Sequence, residues 1–195
     1  MEMLAIKFVN ILINNNIIKK EDAEIYSYGF KEMIFITLNV LTTIFIGLIF
    51  NKMFEVILFM VTYIPIRVYA GGYHARTKLR CYIFSVLMLI SVCYILKLYL
   101  LKSYLSIGIL AIISSGIILY LAPIEDKNKT LDEIEIKVYK KRTIRNLVII
   151  LIVLCTTLIF NKINLSACIC ISLLCNGIML ILGKINNSIR CKYFK

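Results

Sequence analysis

R-V-Y-A-G-G-Y-H-A-R-T-K-L-R-C, from Arg67 to Cys81, is a basic, glycine-containing interruption between apolar runs. It holds the only histidine of the chain, His74, seven residues before Cys81 and among the four cations Arg67, Arg76, Lys78 and Arg80. Whether the apolar run before it crosses a membrane decides the fold, because that run sets the side on which every later loop falls. Between Glu55 and Arg67 only 11 residues are uncharged, and Pro65 interrupts them, so on length alone this second span reads as re-entrant or interfacial.

Its surroundings are plainer. Met33 to Phe50 is an uncharged run of 18 residues, enough to cross the hydrocarbon. A third span runs from about Cys81 to Leu96, extending to Leu101 if Lys97 snorkels, and a fourth covers Ser103 to Ile124. Residues 125–145 read as a charged loop with seven basic and five acidic side chains. Asn146 to Asn161 is a short fifth span, Ile163 to Gly183 a sixth, and residues 184–195 a basic tail. Residues 1–32 mix apolar and charged positions around Asn14-Asn15-Asn16 and read as two short amphipathic helices on the membrane surface, the second carrying Glu21, Asp22, Glu24, Ile25 and Tyr28. An acid at position 2, an early lysine and no small-residue cleavage site argue against a signal peptide.

Basic residues settle the count. With six crossings and the N-terminus inside, 19 of the 23 lysines and arginines lie on the inner side; if the second run does not cross, the best orientation leaves 16 inside. The expectation is an all-α integral membrane protein of about six transmembrane helices in a single membrane-embedded domain, residues 1–195, preceded by short amphipathic helices. Both termini, His74 and Cys81 then face the cytoplasm.

Composition agrees with that class. The chain has 195 residues, 61% of them hydrophobic, and a mean hydropathy of +0.87, which excludes an ordinary soluble domain. A net charge of +12 spread between apolar runs points to topology and anionic lipid, not nucleic acid. The seven cysteines form no C-x-x-C pair and five lie in apolar runs, where they act as small hydrophobes; neither a disulfide framework nor a zinc site is expected. No cofactor is implied.

Cys81 and His74 form a candidate nucleophile and base, since a thiolate is the attacking species and histidine its usual activator. On one continuous helix they would stand about 10.5 Å apart along the axis, too far for proton transfer over the roughly 3 Å it requires. One helix must therefore not run through both. Gly71-Gly72 supplies a turn and Thr77 an N-cap for the next span, which puts Cys81 near the positive end of that helix. Spacing alone leaves a packing cysteine and a hydrogen-bonded interfacial histidine as the other reading. A non-catalytic transporter or export partner for a small peptide, with Asn39, Glu55 and Asn176 as its polar path, is the alternative from another class.

The pattern Arg-x3-Gly-Gly-x-His-Ala-x5-Cys resembles the accessory gene regulator B (AgrB) family of bacterial quorum-sensing peptide processors. E-I-Y-S-Y-G at residues 24–29, the length, the several spans and the basic loop with Lys140, Lys141 and Arg142 are similar to that family too. The resemblance implies a membrane cysteine endopeptidase (a thiol protease) that cuts a small AgrD-like precursor peptide at the cytoplasmic face of the bacterial cell membrane. Cys81 would be the nucleophile, His74 the base, and Arg67 and Gly72, with Gly71, would support the site. An acyl-thioester on Cys81, resolved by a cysteine of the peptide, would yield a cyclic autoinducing product. Lys140, Lys141 and Arg142 would meet either anionic lipid or the acidic part of the precursor. Glu125 and Asp126 are the acids nearest the dyad in this topology but read as solvated loop charges, leaving a two-residue dyad; Arg67 reads equally as an oxyanion donor or a topology-setting arginine, and close-packing polar positions together with the resemblance are compatible with a homodimer.

Overall fold

The computed structural model describes residues 2–73, 75, 77–98, 101, 103–125 and 131–193, with the side chains of residues 2, 4 and 189–193 outside that description. It is all-α: α1 (Glu2–Asn14), a 3-10 turn (Lys20–Asp22), α2 (Ala23–Ile49), α3 (Met53–Ala70), α4 (Lys78–Lys97), α5 (Tyr104–Leu121), α6 (Glu133–Ile159) and α7 (Ile163–Tyr193). Among the described residues there is no strand, only a single parallel bridge between Gly71 and Ile124. Six of the helices are long and apolar enough to cross a membrane, and the chain is a multi-pass membrane protein.

Three boundaries differ from the sequence reading. The run around Pro65 is a continuous helix of 18 residues, about 27 Å long, which suffices for a crossing. Its charges sit at the ends: Lys52 Nζ holds Glu55 Oε1 at 2.8 Å, and Arg67 lies in the last turn. Pro65 lacks one donor near that end, and its own carbonyl accepts from Asn146 Nδ2 of α6 at 2.8 Å. The segment read as a charged loop is helical from Glu133, because Ile136, Tyr139, Thr143, Leu147, Ile150 and Leu154 form a buried or half-buried stripe at helical spacing. The Asp132 backbone N–H donates to Glu135 Oε2 at 3.1 Å, closing the N-terminus. The second amphipathic helix does not exist separately, since α2 runs unbroken from Ala23 to Ile49.

The chain divides into two compact units, residues 1–45 and 46–195. In the first, α1 packs on the beginning of α2 through the stacked rings of Phe8 and Phe30, whose centroids are 4.1 Å apart, with Ala5, Val9 and Ile18 buried. The E-I-Y-S-Y-G stretch forms the first turns of α2, where Glu24, Ser27 and Tyr28 line a groove shared with Ile6, Val9 and Asn10.

The second unit is organised around α7. Ser166 to Leu173 is buried without interruption, as expected of a helix surrounded on all sides, and α7 packs chiefly on α5 and α3. Cross-links set the register. Cys168 Sγ reaches the Glu55 carbonyl at 3.1 Å and Asn176 Nδ2 the Tyr63 carbonyl at 3.3 Å, so α3 and α7 run parallel. Cys170, two residues on, turns to another face and reaches the Ile107 carbonyl of α5 at 3.5 Å. The C-terminal ends of α3 and α5 and the later turns of α7 therefore meet at one end of the unit, with the start of α4.

Candidate functional site

A break in the helix ahead of Cys81 is present. α3 ends at Ala70; Gly71 follows at φ 72, ψ −144, and Gly72 at φ 118. These are backbone conformations that glycine adopts and side-chain-bearing residues avoid. Tyr73 and Ala75 are non-helical, and the Thr77 hydroxyl accepts from the Arg80 backbone N–H at 3.3 Å and caps α4. Cys81 sits at the end of that first turn, its own N–H bonded to the Thr77 carbonyl at 3.1 Å, and its partly exposed thiol is free.

Four contacts hold the loop. Arg67, in the last turn of α3, folds forward so that Nη1 donates to the Gly71 carbonyl and Nη2 to the Tyr73 carbonyl. The Ile124 N–H donates to the Ala70 carbonyl at 2.9 Å, laying the segment after α5 beside the glycines. The Tyr73 N–H donates to the Met179 carbonyl of α7 at 2.9 Å. Finally the Tyr73 ring rests against Phe84, 6.0 Å between centroids, and Phe84 lies on the same face of α4 as Cys81, one turn further along. The loop is thus tied to α3, the post-α5 segment, α7 and α4 immediately before position 74. His74 itself, with Arg76 and Asp126, lies outside the described residues.

Arg67, Gly71 and Gly72 are therefore brought together as one structural unit. Both terminal nitrogens of Arg67 are engaged by loop carbonyls. Its work is to staple the loop. The three basic residues of α6 are separated: Arg142 lies over the Tyr69 ring at 5.1 Å and donates from Nη1 to its hydroxyl at 3.1 Å, whereas Lys140 and Lys141 are exposed. Tyr139 meets the Tyr69 ring edge-on at 5.7 Å, so α6 braces the end of α3 just beyond Arg67. Glu125 follows Ile124 alongside the loop, with its carbonyl held by Asn187 Nδ2 at 2.8 Å.

Two contributors were invisible to motif reasoning. Tyr63, one turn before Arg67, is buried against Phe59, and its carbonyl accepts from Asn176 Nδ2 of α7 at 3.3 Å. Gly183, near the end of the last apolar run, touches Gly72 backbone to backbone. Only the 3.6-residue repeat of α7 puts Gly183 on the face of Met179. Beyond Phe84 an apolar groove of about 360 Å³ continues between α4 and α7, lined by residues including Leu87, Met88, Ser91, Cys175 and Met179.

The residues assigned to a transport path are otherwise occupied. Asn39 Nδ2 bonds the Phe35 carbonyl of its own helix at 2.9 Å, Glu55 pairs with Lys52, and Asn176 ties α7 to α3. Among the described residues no three His, Cys, Asp or Glu side chains stand close enough to hold a metal ion.

No solved structure matches the chain. Two curated relatives from Clostridium perfringens do: AgrB-like protein 2 of strain 13 / Type A, 26% identical over 143 residues, and the AgrB-like protein of strain SM101 / Type A, 27% identical over 143 residues. Each match covers 68% of this chain and 65% of the relative, so the chain spans slightly less than two thirds of the length of the relatives it matches. The family model described as Accessory gene regulator B matches residues 5–180, which takes in α1, the glycine loop, Cys81 and α7 as far as Leu180. With nearly the whole described helical array inside that match, the chain belongs to the accessory gene regulator B family.

Proposed function

We propose that the protein is a cysteine endopeptidase of quorum sensing, cutting a small AgrD-like precursor at the cytoplasmic face of the bacterial membrane. The observation that carries this reading is the pinned loop. It ends α3, presents Tyr73 against the Cys81 face of α4, and leads into His74 one residue later.

In this reading His74 takes the thiol proton as Cys81 Sγ attacks the scissile carbonyl carbon. The tetrahedral intermediate collapses with cleavage of the C–N bond. The proton held by His74 passes to the departing amine, which leaves as the C-terminal part of the precursor. The remaining part is an acyl-thioester on Cys81. A cysteine thiol of the same peptide attacks that thioester, closes a thiolactone and returns a proton to Cys81, so thioester exchanges for thioester and no ATP is consumed. A site placed where α4 enters the apolar layer limits the water that would otherwise hydrolyse the intermediate.

Co-expression with the candidate precursor tests the reading, using wild type, Cys81→Ala and His74→Ala with mass spectrometry of both peptide and protein. Expected are loss of cleavage in both variants and an acyl adduct on Cys81 in wild type. Full cleavage by Cys81→Ala overturns it and favours a carrier.

A further inference from the structure

One face of α7 holds both loops at the site end. Met179, Gly183 and Asn187 recur every four residues and so lie in one row along the helix. The Met179 carbonyl accepts from Tyr73 N–H at 2.9 Å, and Asn187 Nδ2 donates to the Glu125 carbonyl at 2.8 Å. Between them Gly183 is buried under the glycine loop. A Cβ at position 183 would stand 2.7 Å from the Gly72 carbonyl carbon, 2.8 Å from the Tyr73 nitrogen and 2.9 Å from Gly72 Cα. All three are backbone atoms, already tied to α3 and α7, so the collision has no flexible side-chain end to absorb it.

We propose that Gly183 is a positioning residue for the peptidase reaction, setting the depth at which Gly72 and Tyr73, the residues that lead into His74, rest on α7. The inference rests on the reading of His74 and Cys81 as base and nucleophile. A methyl group at 183 lifts Gly72 and Tyr73 off α7, breaks the Tyr73–Met179 bond and displaces the loop one residue before the base. The core of α7 lies elsewhere, in Ser166 to Leu173, and stays packed. Gly177 supplies the control on the same helix, because a Cβ there meets its nearest atoms, Ile117 Cγ2, Ile117 Cβ and the Ser114 carbonyl oxygen, at 3.6, 3.8 and 3.9 Å, all ordinary contacts.

The full chain in lipid nanodiscs, treated with iodoacetamide at fixed neutral pH, reports the effect through the rate at which the Cys81 peptide is alkylated. His74→Ala should slow that rate, Gly183→Ala should slow it comparably, by at least about tenfold, and Gly177→Ala should leave it unchanged. Cys93 and Cys168, both buried, should stay protected in every variant, which separates displacement of the loop from unfolding. A Cys81 rate unaltered by His74→Ala defeats the dyad itself. A rate that falls in His74→Ala but not in Gly183→Ala, or that falls equally in Gly177→Ala, overturns the positioning role of Gly183. Should Gly183→Ala fail to accumulate in the membrane, Asn187→Ala removes the neighbouring tie without a clash. It is then expected to slow Cys81 alkylation, and an unchanged rate overturns the proposal.

Discussion

The two ends of the α7-centred unit close their helices in opposite ways. At the end where α2 meets α3 and α6 meets α7, each turn is self-contained. Asn51 (φ 51) and Asn161 (φ 56) occupy the left-handed position, and the following N–H reaches back to the carbonyl five residues earlier: Lys52 to Gly47 and Lys162 to Thr157, both at 2.9 Å. Asn16 ends α1 in the same manner, with Ile17 bonded to the Leu12 carbonyl at 2.9 Å. These are Schellman turns, built from their own helix and indifferent to what surrounds them. Among the described residues the site end has no such turn. Gly71 bonds to Arg67, the flanking Ala70 carbonyl and Tyr73 N–H bond to the post-α5 segment and α7, and Gly183 crowds Gly72, so α3, the post-α5 segment and α7 together shape the loop. Asparagine suffices where positive φ is the whole requirement; glycine is needed where another backbone occupies the space of a side chain.

Gly72→Asn tests that difference most severely. Asparagine satisfies Asn16, Asn51 and Asn161, yet at position 72 its Cβ would meet Arg67 Nη1 and would lie 2.9 Å from the Met179 carbonyl oxygen. Precursor cleavage should fall by at least about a hundredfold, as displacements of an ångström do when catalytic geometry is lost. Mass spectrometry of precursor co-expressed with the variant reads the loss. Retained cleavage would show that the loop tolerates local geometry alone, and the contrast between the two ends would fail.

A smaller effect is expected from the brace on α3. Asn146→Ala removes the single bond to the Pro65 carbonyl and should cost about 0.6 kcal/mol, the average measured for interhelical hydrogen bonds in membranes. Reversible unfolding in mixed micelles resolves such a change. Cleavage should persist, because Arg67 still staples the loop.

The same difference governs what could be read from sequence. Apolar length marked five of the six spans, and the lysine and arginine distribution supported the sixth across Pro65. The paired requirements of a broken helix and a capped α4 foresaw Gly71-Gly72 and Thr77. Charge misled at residues 133–145: glutamates and lysines dominate the count there, while the stripe from Ile136 to Leu154 that makes α6 one helix is spread among them. The staple formed by Arg67, the Tyr69–Arg142 stack and the contact at Gly183 depend on residues 4 to 111 positions apart meeting in space, and no local pattern encodes such meetings. Arg67 was recognisable through its motif, but only geometry showed it holding carbonyls.

The mildest test lies at the opposite end. Asn161→Gly keeps the left-handed conformation that ends α6 and the backbone bond from Lys162 to Thr157, and it removes a side chain that the turn does not need. Glycine gains ease at positive φ and loses through the greater freedom of its unfolded chain, two terms that oppose each other. The net change in stability should lie within about 0.5 kcal/mol of zero, with cleavage unchanged. Thermal unfolding of the two proteins in the same detergent measures it. A large loss would mean that the Asn161 turn depends on contacts beyond its own helix and that the two ends differ less than their hydrogen bonds imply. A near-zero change, beside inactivation by Gly72→Asn, would show that the site end demands more of its glycine than the local turn that asparagine can make.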